Sequence, residues 1–150
     1  MDAIALLKAD HDKVKKMLAD GEETTERAEV TRTELFEKIK AEMLIHERIE
    51  EEIFYPALKA HPKAKDIVLE GYEEHHVVDE IMGELEVLSV TDETWGAKFK
   101  VMKENIEHHI EEEEGEMFKT ARQVFEADEL ESLGARMLEL KQLGQQVGPV

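Results

Sequence analysis

The sequence predicts an all-α domain: an antiparallel, up-and-down four-helix bundle with a short additional C-terminal helix. Three observations point there. Apolar residues recur every three or four positions along four long stretches, the period of a helix with one buried face. The composition is 37% charged and 41% hydrophobic, rich in Glu, Leu, Ala, Lys and Met, with only three prolines. The links between stretches are short, so consecutive helices should be antiparallel neighbours. The 150 residues suffice for one domain with a real core, the bundle covering about 2–126 and the extra helix about 128–143.

The first helix is expected from Asp2 to Asp20, with Ile4, Leu7, His11, Val14 and Leu18 on its apolar stripe and Gly21 ending it. The polar stretch from Glu22 to Glu29 reads as a loop. The second helix runs from Val30 to Ala60, with the stripe Leu35, Ile39, Met43, His46, Glu50, Ile53, Ala57, and Pro56 near its end. His61-Pro62 is a linker. The third helix, Ala64 to Leu88, places Val68, Tyr72, His75, Val78, Met82 and Leu85 on one face. Thr91 to Thr94 forms a loop with N-cap chemistry. The fourth helix, Thr94 to Glu126, carries Trp95, Phe99, Met102, Ile106, His109, Glu113 and Met117, and Trp95 should pack in the core. Asp128 to Leu143 forms the extra helix through Leu130, Leu133, Met137 and Leu140, and the tail from Gly144 to Val150 should be loose.

Net charge is −18 with histidine neutral. Nucleic acid needs a basic stripe, and anionic membranes repel an acidic surface, so neither is an expected partner. With no cysteine, disulfides, thiolate metal sites and cysteine nucleophiles are excluded. The N-terminal stretch does not resemble a signal peptide, and no apolar run approaches the length of a membrane span. A cytoplasmic protein is expected. The single serine, Ser89, and the lack of a glycine-rich turn leave no nucleophilic triad and no phosphate loop.

The chemistry lies in a repeat. His11 is followed by His46-x-x-x-Glu50, and His75 by His109-x-x-x-Glu113. All six residues fall on apolar stripes, where an unpaired carboxylate is costly. One set per hairpin predicts a shared metal site. Helical phase selects His109 over His108, because His109 and Glu113 continue the line of Met102 and Ile106. The repeat selects His75 over His76, because Val78 and Met82 follow His75 as Val14 and Leu18 follow His11. His76 and His108 are expected beside the site or on the surface. Imidazole with carboxylate suits iron, manganese or zinc, not calcium or magnesium. Six ligands serve two metals if both glutamates bridge, with a shared oxo or hydroxo group and open positions for small molecules. A ferritin-like arrangement needs Glu-x-x-His on two helices; only Glu73–His76 has that spacing.

His11-Asp12-x-Val14, His46-Glu-Arg-Ile-Glu50 through Tyr55-Pro56, Glu74-His75 and His108-His109-Ile-Glu-Glu-Glu113 through Phe118 together resemble a hemerythrin-like, or HHE cation-binding, domain, over about residues 2 to 143. The resemblance implies a four-helix bundle holding two iron ions on His11, His46, Glu50, His75, His109 and Glu113, with zinc or manganese as substitutes. Oxygen-carrying relatives place a second histidine four residues along the third helix, where this chain has Asp79, and use a spacing of five in the last motif, where this chain has four. The resemblance therefore points away from reversible oxygen carriage and toward hydrogen peroxide breakdown, with Glu50 and Glu113 holding the pair. The alternative is a module that binds, senses or stores dioxygen, nitric oxide or iron. No protein partner is legible.

Four more residues are candidates near the site. Tyr55 lies nine residues after His46, on the opposite face by simple phase, yet Pro56 disfavours helical geometry before it, which gives the ring a route inward as a candidate ligand or neighbour. Tyr72 precedes His75 by three on the same face. Glu47 and Asp79 are further candidate ligands or neighbours.

Overall fold

A computed structural model describes residues 1–147. Among these residues every regular element is helical. Helix α1 spans Ala3–Glu22 and is capped by the Asp2 side chain, which accepts from the Ala5 amide at 2.8 Å. Helix α2 (Glu29–Ile49) continues through a π-helical turn, Glu50–Phe54, into α3 (Tyr55–Lys59), making one long rod. A 3₁₀ turn, Pro62–Ala64, leads into α4 (Lys65–Val87). Helix α5 (Trp95–Glu112) continues through a second π-helical turn, Glu113–Met117, into α6 (Phe118–Val124). Helix α7 (Ala127–Val147) packs outside the bundle against α1 and α2. The four rods form the antiparallel up-and-down bundle: α1 lies on α2, α4 on α5, and α1 on α5.

Several sequence expectations shift here. Helix α7 has 21 residues, so the additional helix is not short, and Gly144 to Val147 is helical rather than loose; residues 148–150 lie outside the described residues. Gly21 does not end α1. It is buried inside the helix, and a Cβ there would meet the Phe99 ring at 2.3 Å. A close approach, not a helix stop, explains that glycine. Phe36 takes the core position at the start of α2, and Leu35 is only half-buried. Past Glu50 the buried residues are Phe54, Tyr55 and Leu58, and Phe54 and Leu58 each stand one position later than the expected Ile53 and Ala57. That one-residue slip is the π turn, which inserts a residue into the helical repeat.

The apolar core has two parts. Val14, Leu18, Phe36, Ile39, Met82, Trp95, Phe99 and Ile106 fill one end. Ile4, Leu7, Phe54, Leu58, Val68, Phe118 and Met137 fill the other, where α7 closes over the bundle. Trp95 is buried, stacked on Phe99 and covered by the Arg32 guanidinium 4.4 Å from its ring centre. Along each rod the histidines fall between these two apolar zones. No described helix is long and apolar enough to cross a membrane.

Candidate metal centre

Between the apolar zones lies a buried polar layer of His11, His46, Glu50, His75, His109 and Glu113, none more than 4% exposed. Each rod contributes because the polar residue replaces one member of its apolar stripe. The layer forms two groups, His11–His46–Glu50–Glu113 and Glu50–His75–His109–Glu113. Within each, the donor atoms lie within 4.8 Å of one another, and both groups share the two glutamates. All four imidazoles aim Nε2 inward. His11 Nε2 lies 3.0 Å from Glu113 Oε1, and His75 Nε2 lies 2.9 Å from Glu50 Oε1. His46 Nε2 lies 3.3 Å from Glu50 Oε1, and His109 Nε2 lies 3.1 Å from Glu113 Oε2.

The outward nitrogens are each held by a further carboxylate. His11 Nδ1 donates to Glu114 at 2.7 Å, His46 Nδ1 to Asp10 at 3.1 Å, His75 Nδ1 to Glu51 at 2.8 Å and His109 Nδ1 to Glu74 at 2.6 Å. Such bonds fix the tautomer, orient the ring and leave Nε2 free to ligate. Sequence reasoning missed these four acids as supports. Their signal was present: Asp10 and Glu74 immediately precede the first histidine of each repeat, and Glu51 and Glu114 immediately follow each inward glutamate. The preceding acids bond within a hairpin, and the following acids bond between hairpins.

The two π turns begin at matched positions, Glu50 and Glu113, and end with the amides of Tyr55 and Phe118 donating back five residues to the carbonyls of Glu50 and Glu113. Each extra residue turns the rod beyond it by roughly 100°. This brings both following rings to the site. Phe118 stacks parallel on His11, with ring centres 6.0 Å apart, and Tyr55 stacks on His75 at 5.3 Å. Pro56 is not the cause, since Tyr55 keeps helical φ and ψ of −63° and −45°. Tyr55 Oη donates to Glu113 Oε2 at 2.7 Å and lies 3.4 Å from His75 Nε2. Tyr72 packs edge-on against Tyr55, and its hydroxyl reaches the Glu51 carbonyl, not a group in the buried layer.

His76 and His108 project to solvent and pair along their own helices with Glu80 and Glu112. Glu47 is buried at the edge of the layer, while Asp79 is exposed. Burial, then Asp79 facing it, pushes the Glu47 carboxyl up to about 10. Burial alone would lower His46 and His109, yet the nearby charges of Glu50 and Glu113 respectively hold each imidazole well above its ordinary value. Burial likewise opposes the Glu113 charge, but the hydrogen bond it shares with Glu50 and the charge and hydrogen bond of His109 hold it well below the usual carboxylate range.

The layer fits a metal on its own terms. His46 Nε2 and Glu50 Oε2 are fully buried and have no hydrogen-bond partner. Orphaned atoms of this kind are rare and costly, and a cation between the groups satisfies both. Mixed imidazole and carboxylate donors match iron, manganese or zinc.

The family model described as hemerythrin HHE cation binding domain matches residues 2–121. The fold is similar to the crystal structure of a hemerythrin HHE cation binding domain-containing protein from Mycobacterium kansasii, with a TM-score of 0.87 and 27% identity, covering 98% of this chain and 89% of that one. No curated protein matches the sequence.

Proposed function

Because this chain belongs to the hemerythrin HHE cation-binding family, we propose that its buried layer holds two iron ions and breaks down hydrogen peroxide. His11 and His46 would hold one ion, His75 and His109 the other, with Glu50 and Glu113 shared between them. A bound iron pair supplies two-electron chemistry: one peroxide takes two electrons and two protons to become two waters, and a second returns two electrons and two protons as it leaves as dioxygen.

The observation that carries this reading is the Tyr55 hydroxyl. It stands 2.7 Å from Glu113 Oε2 and within 3.5 Å of Glu50 Oε1, His75 Nε2 and His109 Nε2. In the metal-free chain burial, with the charges of Glu113 and Glu50 beside it, holds the phenol well above its ordinary pKa. A hydroxyl at the centre of the layer is placed to give a proton as an O–O bond breaks and to take one back. The equivalent position in the other repeat, Phe118, offers no such group. Phe118 and Phe54 instead wall the layer with apolar rings.

The test mixes the iron-loaded full chain with hydrogen peroxide and follows dioxygen release. Evolution of one dioxygen per two peroxides, abolished in Glu50→Ala, supports the reading. A stable, reversible oxygenated spectrum with negligible peroxide turnover would instead support a binding module.

A further inference from the structure

The two repeats differ beside His75. Residue by residue, His46-Glu47 in the second rod matches His109-Ile110 in the fourth, and Asp79 matches Lys15. Ile110 is buried at 3% exposure and serves as ordinary core, whereas Glu47 is buried at 4%. A carboxyl group therefore occupies a position that the same fold fills elsewhere with a hydrocarbon, where a polar group without a partner is costly. Glu47 Oε2 is fully buried and has no hydrogen-bond partner. The side chain is aimed at a cluster: carboxylate oxygens of Glu47 and Glu51 and a ring nitrogen of His75 lie within 4.8 Å of one another. Asp79, one helical turn beyond His75, brings its carboxyl against Glu47 from the solvent side. The His75 Nδ1 proton is committed to Glu51, so the free donors are the carboxylate oxygens.

We propose that Glu47 and Glu51, with Asp79 reaching Glu47 from the solvent side, form a third cation site, which takes a divalent metal such as Mn²⁺ or Fe²⁺ from solvent and passes it to the buried pair. An all-carboxylate site completed by water suits these hard ions in their divalent state and binds them loosely enough to release them. Its place supports the transit role. Glu51 and Asp79 open to solvent, Glu47 is buried, and the inward face of His75 belongs to the metal layer. In the other repeat Lys15 is cationic and Ile110 is apolar, so neither offers a donor to a cation and entry is one-sided.

The proposal rests on the reading of the buried layer as a metal pair. The test uses the full chain, loaded with iron and titrated with Mn²⁺, free Mn²⁺ being followed by electron paramagnetic resonance. The expected result is one additional Mn²⁺ per chain, bound at least about tenfold more weakly in Asp79→Asn and in Glu47→Gln, while both variants retain two irons. Fe²⁺ uptake by the metal-free Asp79→Asn chain should also slow several-fold yet reach the same final occupancy. Asp79 is exposed, so this variant is expected to fold. A wild-type chain that holds two irons but takes up no Mn²⁺, or an Asp79→Asn chain that binds and loads like wild type, overturns the third site alone. Loss of one iron in Glu47→Gln also overturns it, by making Glu47 a ligand of the pair. A wild-type chain that retains no iron overturns the metal pair and the transit role together.

Discussion

Gly71 on α4 faces the Tyr55 ring so closely that a Cβ would sit 2.9 Å from Oη and 3.0 Å from Cζ. The missing side chain is the space into which the π turn delivers the phenol. Gly71→Ala should therefore push Tyr55 off Glu113, costing about 1–3 kcal/mol of stability through overpacking. Thermal unfolding checks the cost, and the ultraviolet absorption of the buried tyrosine checks its displacement. An alanine variant as stable as wild type with an unchanged tyrosine spectrum would show that α4 can yield without moving the ring.

Tyr55→Phe makes the two repeats alike at this position, since Phe118 is already the counterpart. The ring still stacks on His75, so iron occupancy should stay at wild-type level. Peroxide turnover should fall about 10²-fold or more if the hydroxyl carries protons. Steady-state dioxygen release at matched iron content is the measurement. Undiminished turnover would remove Tyr55 from the chemistry and leave it a packing residue.

His109→Ala and Glu113→Ala should each lose metal, whereas His108→Ala and Glu112→Ala should keep it. The buried and exposed members of each adjacent pair make the contrast sharp: His109 is 3% exposed, and the His108 side chain is 64% exposed. Metal that binds only the folded chain stabilises it, so the first two variants should also lose the rise in melting temperature that iron gives wild type. Elemental analysis and calorimetry decide it.

The repeat of His11 and His75, and of His46 and His109, was legible because ligands interrupt helical stripes at nearly equal intervals. Phase alone separated His109 from His108. The π turns were not legible. Nothing in Glu50–Phe54 or Glu113–Met117 distinguishes an inserted residue from ordinary helix, and the slip appears only where Phe54 and Leu58 replace Ile53 and Ala57 in the core. Tyr55 was consequently placed on the wrong face by simple periodicity. Gly21 and Gly71 were opaque for a related reason: each is explained by a ring from a distant part of the chain, Phe99 and Tyr55. Local rules read glycine as a stop or a flaw, and only the packed structure shows what needed its space.

Acidity should weigh differently on the metal-free and loaded chains. His46 and His109 have folded-state pKa values well above an ordinary imidazole. A raised folded value stabilises fully below the unfolded pKa of about 6.5 and fades as pH rises through the folded one. Glu47, raised to about 10, acts in the same direction, costing stability as pH climbs above the ordinary carboxylate range. Glu113 and Asp10 are depressed, so their contribution is present above about pH 4 and lost as pH falls. The metal-free chain should be most stable between about pH 4.5 and 6.5 and weaken on the alkaline side. Loading replaces the imidazolium protons with metal and should move the maximum upward. Melting temperatures of chelator-treated and loaded chain across pH 4–9 test this; a metal-free chain that gains stability from pH 6.5 to 9 contradicts it.

Lys141 ties the outermost helix to the metal layer. Its ammonium bonds Asp10, whose other oxygen accepts from His46 Nδ1, so α7 reaches a candidate ligand through one carboxylate. Asp10 is 4% exposed, and the Lys141 and His46 contacts together hold its pKa below the usual range against its burial. The other three supporting acids, Glu51, Glu74 and Glu114, are only partly buried. Removing the lysine thus leaves a buried carboxylate with the imidazole as its remaining partner, and unpairing such a group is costly where loss of a surface pair is not. Lys141→Met keeps the apolar stem and deletes the charge. It should lower stability by about 1–3 kcal/mol, while Lys13→Met, which breaks the exposed pair with Glu42, should cost under about 0.5 kcal/mol. Asp10 freed from the ammonium should also draw more strongly on the His46 proton, raising the basicity of Nε2. Iron bound by His11 and His46 should then shift its absorption relative to wild type, while Lys141→Arg restores both stability and spectrum. Equal melting temperatures for the two methionine variants would show that Asp10 is held by His46 alone and that α7 packs on the bundle without reaching its chemistry.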